Sequence, residues 1–333
     1  MRSRLALLAV PLLLISLLPG AVSAAPPDAA AAHRAAVLAY WTPERMAAAI
    51  PRDFVFSPGR GIEPLGKPTK PPVTTDTTTG ASWTAGGKML TATGRVYFVM
   101  DGQAWICSGS VITDSQADQS IVLTAGHCVV DETDGVFATE WMFIPSFDTS
   151  PSYDCASTTY GCWVADALYA DAAFASAGGF TDTAVRHDWG FAVVGPGGKD
   201  DSQLDASARG SFPIEYTQSY AGQELSAFGY PAAGKYHGSD LVYCRGVVGT
   251  DPNTAGTTWS MPCGMTGGSS GGPWVQAGDP AVYADAVIGS LNSYGYQGLK
   301  YMFGPMFNGD TQNVFEAAKS GTEPSGVARA LLP

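Results

Sequence analysis

Short runs of β-branched and aromatic residues, bounded by Gly, Pro, Asn or Asp, recur along most of this chain. Such runs predict β-strands, and no helical segments separate them, which argues against a βαβ fold. We expect an all-β sandwich or pair of barrels, followed by one short helix at 310–319 that Gly321 ends. The runs that predict strands lie at 94–100, 104–106, 110–113, 120–124, 191–194, 224–228, 240–248, 256–261, 273–276 and 284–290.

The composition fits many short strands joined by turns. Hydrophobic residues make up 45% and charged residues 14% of the 333 residues, so the chain can bury a core. Gly (40) and Pro (23) exceed average usage, as a fold with many turns requires. A net charge of −12 without any cluster of Lys and Arg excludes a nucleic-acid binder.

Residues 1–24 predict a secretory signal peptide. Basic residues precede an apolar run at 5–18, which is too short to cross a bilayer comfortably. Small residues at 22–24 offer a signal-peptidase site, so we place the cut after Ala24. A retained membrane anchor is the alternative. No other segment is apolar enough to span a membrane, so we expect a secreted, extracellular protein with no membrane partner.

Residues 25–80 have the character of a propeptide followed by a linker. The Ala-rich stretch at 28–49 predicts helix, with Thr42 as an N-cap before a proline. The stretch at 57–80 is rich in Pro, Thr and Gly, which predicts an extended, protease-accessible connector. A permanent N-terminal arm is the alternative. The main domain then spans 81–333.

Six cysteines in an exported chain favour disulfides over a metal site. No Cys-x-x-Cys or His-x-x-x-His spacing indicates zinc. The sequence alone does not choose among the many pairings, although sequential pairing would let each pair close one local loop. The cysteines are Cys107, Cys128, Cys155, Cys162, Cys244 and Cys263.

Histidine is scarce, and His127 directly follows an apolar run at 121–123. It lies in Thr-Ala-Gly-His-Cys at 124–128, which places an imidazole at the end of a buried strand. The next residue is a cysteine that could pin the backbone there. This position suits a general base, although a histidine beside a cysteine is more often structural.

Two further elements carry groups that would complete a nucleophilic site. Gly-Gly-Ser-Ser-Gly-Gly-Pro at 267–273 describes a bent backbone whose N–H groups converge, as the oxyanion of a serine-catalysed reaction requires. A plain Gly/Ser loop is the alternative. Asp188 precedes an apolar strand at 191–194, where it can be buried and accept the Nδ1–H of His127. Alone, it is an ordinary strand-start residue.

Together these elements resemble the chymotrypsin-like serine peptidases. The histidine motif of that family matches 124–128, its Gly-x-Ser-Gly-Gly-Pro motif matches 268–273, and its Asp-hydrophobic strand matches 188–194. The order of the three motifs is also that of the family. The resemblance covers about residues 90–320, and Thr-Gly-Gly-Ser-Ser-Gly at 266–271 is most similar to the bacterial glutamyl-endopeptidase branch.

The resemblance implies two antiparallel six-stranded β-barrels with a short C-terminal helix and the site in the cleft between the barrels. It makes Ser270 the nucleophile of a serine endopeptidase and His127 its general base. Asp188 becomes the acid that orients the imidazole. The N–H groups of Gly268 and Ser270 would form the oxyanion hole.

The same resemblance implies a substrate-binding segment and one disulfide. The segment from Ser293 to Gly295 would pair with the substrate backbone as an added β-strand. We expect protein or peptide substrates, no cofactor, no metal and a monomeric enzyme. Its own propeptide would assist folding or block the cleft until it is removed. The disulfides expected are Cys107–Cys128, as the resemblance implies, with Cys155–Cys162 and Cys244–Cys263.

The residues expected in the P1 pocket differ from both well-known specificities of the family. Gly264 stands where the trypsin-like branch carries an Asp for Arg and Lys, so cleavage after basic residues is disfavoured. Asn292 stands where the glutamyl branch carries a histidine, and Thr266 offers a hydroxyl. We rank Glu and Asp at P1 first, and medium apolar or polar residues second.

Ser269 replaces the Asp that binds the new N-terminus in trypsin-like zymogens, so that ion pair cannot operate here.

Two other classes of function compete with this hypothesis. The pattern Gly268-x-Ser270-x-Gly272 also matches the nucleophile elbow of α/β-hydrolase esterases, but no histidine follows Ser270 to serve as base. The second class is a catalytically inactive peptidase homologue that acts as a binding module, although the triad and oxyanion-hole positions are intact. An organophosphonate serine probe separates an enzyme, which reacts stoichiometrically, from an inactive homologue.

Overall fold

The computed structural model describes residues 27–56, 77–116, 118–148, 153–276 and 283–332. The signal peptide expected at 1–24 and most of the linker expected at 57–80 lie outside these residues. Among the helices that are described, none is long and apolar enough to cross a membrane.

The N-terminal segment, of which residues 27–56 and 77–80 are described, begins with two helices. Its strands then pair with the main domain. Thr42 caps the second helix, since its hydroxyl accepts the Arg45 N–H, and a proline fills the first turn as expected. The elements before the first barrel are α1 (Pro27–Tyr40), α2 (Pro43–Ala48), β1 (Ile50–Pro51), β2 (Phe54–Phe56), β3 (Thr78–Ser82) and α3 (Gly87–Thr91).

The first half of the main domain is a closed six-stranded β-barrel. The ladder runs β5-β4-β7-β8-β9-β6, and antiparallel pairing of β5 with β6 closes it. In the β4–β5 ladder Gly94 faces Gly109, where an added Cβ would come within 2.9 Å of Val122, so glycine permits the close packing. The elements are β4 (Thr93–Met100), β5 (Gln103–Ile112), β6 (Ser120–Thr124), β7 (Thr139–Pro145), β8 (Trp163–Asp171), α4 (Ala172–Ala175), α5 (Asp182–Arg186) and β9 (Gly190–Val194).

The second half is built from two five-stranded sheets, ordered β15-β14-β10-β11-β3 and β12-β13-β17-β16-β2. The second barrel implied by the resemblance is therefore two sheets that share a core, which contains Leu225, Trp259 and Trp274, and the described ladders do not join into one ring. Its elements are α6 (Leu204–Ser207), β10 (Glu224–Gly229), β11 (Val242–Val247), β12 (Gly249–Thr250), β13 (Thr258–Pro262), β14 (Pro273–Gln276), β15 (Val287–Leu291), β16 (Tyr294–Tyr296) and β17 (Tyr301–Pro305).

The chain ends with α7 (Gly309–Ser320) and β18 (Val327–Leu331). Helix α7 starts at a capping box on Asn308 and ends at Gly321, whose φ of 64° is left-handed. It returns to the first barrel, where Phe315 packs against Phe191 with ring centroids 5.6 Å apart. Strand β18 pairs with β8, so the C-terminus covers the outside of the first barrel.

Three disulfides join the six cysteines as Cys107–Cys128, Cys155–Cys162 and Cys244–Cys263, the pairing expected from the sequence. The first ties β5 to the turn after β6, and both of its cysteines are fully buried. The third joins the two sheets of the second half, because Cys244 lies in β11 and Cys263 follows β13.

Removal of the Cys107–Cys128 bond by double substitution with alanine is expected to lower the free energy of unfolding by about 2–5 kcal/mol. The matched Cys155→Ala/Cys162→Ala variant should lose less. Its bond spans 7 residues instead of 21, which reduces the loop-entropy contribution by about 1 kcal/mol. Urea unfolding of the two variants and the wild type measures both losses. Equal losses would contradict the prediction.

Candidate active site

His127 is held in a short 3₁₀ turn, Gly126–Cys128, that follows β6. The turn is fixed on one side by the disulfide to β5 and on the other by hydrogen bonds to the 188 region. A Cβ on Gly126 would lie 3.1 Å from Asp188 Oδ1, so glycine lets the turn approach that carboxylate. The His127 side chain is fully buried.

The Asp188 carboxylate receives hydrogen bonds from both halves of the domain. Oδ1 accepts the backbone N–H of His127 at 2.9 Å, and Nδ1 of the same imidazole lies 2.8 Å from Oδ2. The Ser293 hydroxyl donates to Oδ2 at 2.5 Å. Because an ionised carboxylate only accepts, Nδ1 carries the proton when the imidazole is neutral, and Nε2 then has a lone pair.

Ser270 lies in a tight turn between β13 and β14. Gly268 has a φ of 90° and Gly271 a φ of 82°, values that other residues rarely adopt. Neither the Gly268 N–H nor the Ser270 N–H donates a hydrogen bond within the described part of the chain. Both donors thus remain free to stabilise an oxyanion.

Ser108, which the sequence analysis does not single out, joins this turn to the first barrel. Its N–H donates to the Ser270 carbonyl at 2.7 Å, and its hydroxyl donates to the Gly268 carbonyl at 2.8 Å. The Thr124 hydroxyl in turn donates to the Ser108 carbonyl at 2.8 Å. One β5 residue therefore connects the Ser270 turn to the end of the strand that carries His127. No sequence signal distinguishes Ser108 from other strand serines.

The structure does not join Ser270 to His127 by a hydrogen bond. Nε2 of His127 is buried and has no hydrogen-bond partner among the described residues. Phe54 of β2 lies edge-on to the imidazole, with ring centroids 4.8 Å apart, and stacks on Phe180 at 3.7 Å. Aromatic rings thus separate the imidazole from solvent.

A cavity of about 280 Å³ opens beside Ser270. Of the residues expected to bind substrate, Thr266, Ser293 and Gly295 line it, and Gly264 and Asn292 do not. The lining residues are Asp53, Met265, Thr266, Gly267, Ser270, Ser293, Tyr294, Gly295, Tyr296, Gln297, Gly298, Leu299, Tyr301 and Met302.

Asn292 has a different environment from the one expected of a residue that contacts the P1 side chain of a substrate. Its side chain is fully buried, and Nδ2 donates to the carbonyls of Phe228 and Ser269 at 2.7 and 3.0 Å. Oδ1 accepts the Trp274 Nε1–H at 2.8 Å. Since these bonds occupy the amide, the side chain holds the backbone around Ser269 and has no group left for a substrate.

A buried carboxylate supports β16 from behind. Asp251 is fully buried, and its Oδ2 accepts hydrogen bonds from the hydroxyls of Tyr294 and Tyr296 at 2.7 and 2.8 Å. Burial raises the pKa of both tyrosines, and the Asp251 charge acts in the same direction. Both phenols therefore stay protonated as donors and fix the strand expected to bind substrate.

Asp53, in the link between β1 and β2, lies at the mouth of the cavity. Asp53 is an exposed residue, yet the protein atoms close to its carboxyl raise its pKa by desolvation. The nearby His127 and hydrogen bonds from backbone N–H groups, including that of Gly267, act in the opposite direction.

Two groups of side chains within the described residues have the spacing of metal ligands. In the first, Cys107 and Cys128 flank His127, but their sulfurs form a disulfide. In the second, Asp171 caps α4 through the Ala173 N–H and lies 3.2 Å from His187. The disulfide therefore removes both cysteines of the first group as ligands, and Asp171 of the second group already serves as a helix cap.

Comparison with solved structures finds serine proteases. The thermostable serine protease AL20 from an extremophilic microorganism is 32% identical, with a TM-score of 0.60 over 70% of this chain and 99% of that chain. The protease Anisep from Arthrobacter nicotinovorans is 30% identical, with a TM-score of 0.60 over 73% and 100%. A Glu endopeptidase is 16% identical, with a TM-score of 0.53 over 73% and 97%, a likeness of fold alone. No protein-family model and no curated protein matches the chain.

The Asn292→Ala variant is expected to lose about 2–4 kcal/mol of unfolding free energy, because it removes three buried hydrogen bonds and leaves the Trp274 indole N–H without its acceptor. The half-buried Asn313 donates one solvent-exposed hydrogen bond, so Asn313→Ala should lose less than about 1 kcal/mol. Urea unfolding measures both.

Any loss of kcat/KM in Asn292→Ala should be equal for P1 Glu and P1 Leu peptides. A selective loss on Glu would instead place the amide in the P1 pocket.

Proposed function

Because the chain belongs to the chymotrypsin-like serine endopeptidases, we propose that it hydrolyses peptide bonds through an acyl-enzyme on Ser270, with His127 as general base and Asp188 as its orienting acid. The observation that carries this proposal is the fully buried His127–Asp188 pair, at 2.8 Å, beside a serine turn with two free N–H donors. The esterase alternative lacks any such support, since its fold alternates strands with helices.

The proposed mechanism follows from the donors and acceptors at the site. Asp188 holds the Nδ1–H of His127, so Nε2 takes the proton from the Ser270 hydroxyl as its oxygen attacks the peptide carbonyl. The N–H groups of Gly268 and Ser270 stabilise the oxyanion that forms. Asp188 stabilises the imidazolium, which then protonates the leaving amine. Water attacks the acyl-enzyme by the same route and releases the acid product.

The residues that line the cavity favour a substrate with an uncharged side chain at P1. No Lys, Arg or His lines the described cavity, so a P1 carboxylate meets only neutral donors. The lining carboxylate, Asp53, belongs to the N-terminal segment, so a P1 Arg or Lys would lack a charge partner once that segment leaves. We therefore place medium apolar or polar residues ahead of Glu and Asp, which the sequence alone ranks first.

The N-terminal segment is proposed to be a propeptide that keeps the secreted precursor inactive. Strand β2 pairs in parallel with β16, the strand that the resemblance assigns to the substrate backbone, and Phe54 lies against His127. The segment and a substrate would therefore compete for the edge of β16 and the space beside His127. Strand β3 pairs with β11, which supports a processing site between Phe56 and Thr78, slightly before the boundary at 80 expected from the sequence. Three disulfides support an extracellular location.

Replacement of Ser270 with alanine is expected to lower the turnover of the mature enzyme by about 10⁶, and His127→Ala by a similar factor. Asp188→Asn should cost about 10⁴. The neighbouring Ser269 is the matched control. Its hydroxyl donates to the Thr266 carbonyl at 2.8 Å, so Ser269→Ala should retain activity within about tenfold. Peptide hydrolysis and organophosphonate labelling measure these effects. Loss of labelling in Ser269→Ala but not in Ser270→Ala would identify a different nucleophile.

The unprocessed chain is expected to react with an organophosphonate more slowly than the mature enzyme, because β2 and Phe54 cover the site. Phe54→Ala should raise the labelling rate of the unprocessed chain about tenfold, since it removes two aromatic contacts. Glu44→Gln, on the exposed face of α2, is the control and should not change the rate. A precursor that labels as fast as the mature enzyme would show that the segment does not block the cleft.

A further inference from the structure

Arg52 of the N-terminal segment lies in a buried acidic site next to His127. Its Nη2 is 2.8 Å from Asp131 Oδ2 and 3.1 Å from Glu132 Oε2, and its Nη1 donates to the His127 carbonyl. Asp131 is held in place because its Oδ1 accepts the Thr133 N–H at 2.8 Å. The side chains of Arg52, Asp131 and Glu132 are only 9%, 12% and 6% exposed. The acceptors are therefore already arranged around a guanidinium.

The acidic site has more negative than positive charge even when Arg52 occupies it. Two nearly buried carboxylates face one guanidinium, so the cluster carries one excess negative charge. Desolvation raises the pKa of Glu132, Arg52 opposes that rise, and Asp131 reinforces it. Removal of Arg52 would leave two adjacent carboxylates whose mutual repulsion no guanidinium offsets, which is unfavourable. The site therefore favours another cation in the mature enzyme.

The position of this acidic site relative to Ser270 defines which part of a substrate reaches it. The Arg52 N–H donates to the Ile106 carbonyl of β5 at 3.3 Å, and two residues later β2 begins its pairing with β16. The segment thus crosses the cleft past His127. The resemblance assigns β16 to the acyl half of a substrate. Arg52 lies on the β5 side of Phe54, which covers His127, so the acidic site corresponds to the leaving-group half.

We propose that Asp131 and Glu132 form a subsite of the mature enzyme that selects a basic residue, preferably Arg, within the first three positions after the scissile bond. This proposal rests on the proposed peptidase function and on release of Arg52 with the propeptide. Arg is preferred to Lys because a guanidinium can serve the two carboxylates and the His127 carbonyl with separate N–H groups, as Arg52 does.

The test uses the mature enzyme and internally quenched peptides that share one acyl half. The peptides differ at one of the three positions after the scissile bond, where they carry Arg or its neutral analogue citrulline. Charge-assisted hydrogen bonds at a buried site are expected to raise kcat/KM for Arg over citrulline about tenfold or more at one of these positions. A ratio near one at all three positions would overturn the subsite.

Variants separate the subsite from the general negative charge of the protein. Asp131→Asn/Glu132→Gln should reduce the Arg-to-citrulline ratio to below about threefold, and Glu132→Gln alone should reduce it by a smaller factor. Asp134→Asn removes an exposed charge from the same loop and should keep the wild-type ratio. An unchanged ratio in a folded Glu132→Gln variant would overturn the proposal. Failure of the peptidase function would look different, because no peptide would be cleaved and the serine probe would not react.

Discussion

The Asp188 carboxylate is fully buried between the two halves of the main domain, and an unpaired charge there would cost several kcal/mol. Its donors come from opposite sides: His127 supplies two N–H groups from the turn after β6, and Ser293 supplies a hydroxyl just before β16. The two halves must therefore dock in one register for the charge to be satisfied. The same register brings the Ser270 turn against Ser108 of β5. Folding of the domain and assembly of the site thus depend on the same contacts.

The N-terminal segment uses this interface as well. It pairs with β5 on one side of His127 and with β16 on the other, so it spans both halves as a bound peptide would. Arg52 anchors it through a buried ion pair, and Phe54 covers the imidazole. These anchors are the acceptors and the strand edge that we propose for a substrate. Under that proposal, one set of residues explains both inhibition by the segment and substrate selection.

Local signals in the sequence are enough to predict the barrel strands next to the chemistry, the helix α7 and the three motifs that contain His127, Asp188 and Ser270. They do not predict β8, whose sequence Trp-Val-Ala-Asp-Ala-Leu-Tyr-Ala-Asp mixes helix-favouring and strand-favouring residues, since closure of the barrel decides its conformation. The environment of Asn292 is also beyond local signals, because its hydrogen bonds join residues far apart in the chain. Composition likewise gives no reason to expect Arg52 beside a specific acidic pair.

The hydrogen bond from His127 Nδ1 to the buried Asp188 is the contact on which this account depends. Proton NMR of the mature enzyme labelled with ¹⁵N-histidine measures it directly. We expect one slowly exchanging imidazole proton far downfield of the amides, attached to His127 Nδ1 and present in Ser270→Ala. The signal should disappear or move strongly in Asp188→Asn, where an amide replaces the carboxylate. Absence of the signal, or a signal that Asp188→Asn leaves unchanged, would show that Asp188 does not hold the His127 Nδ1–H.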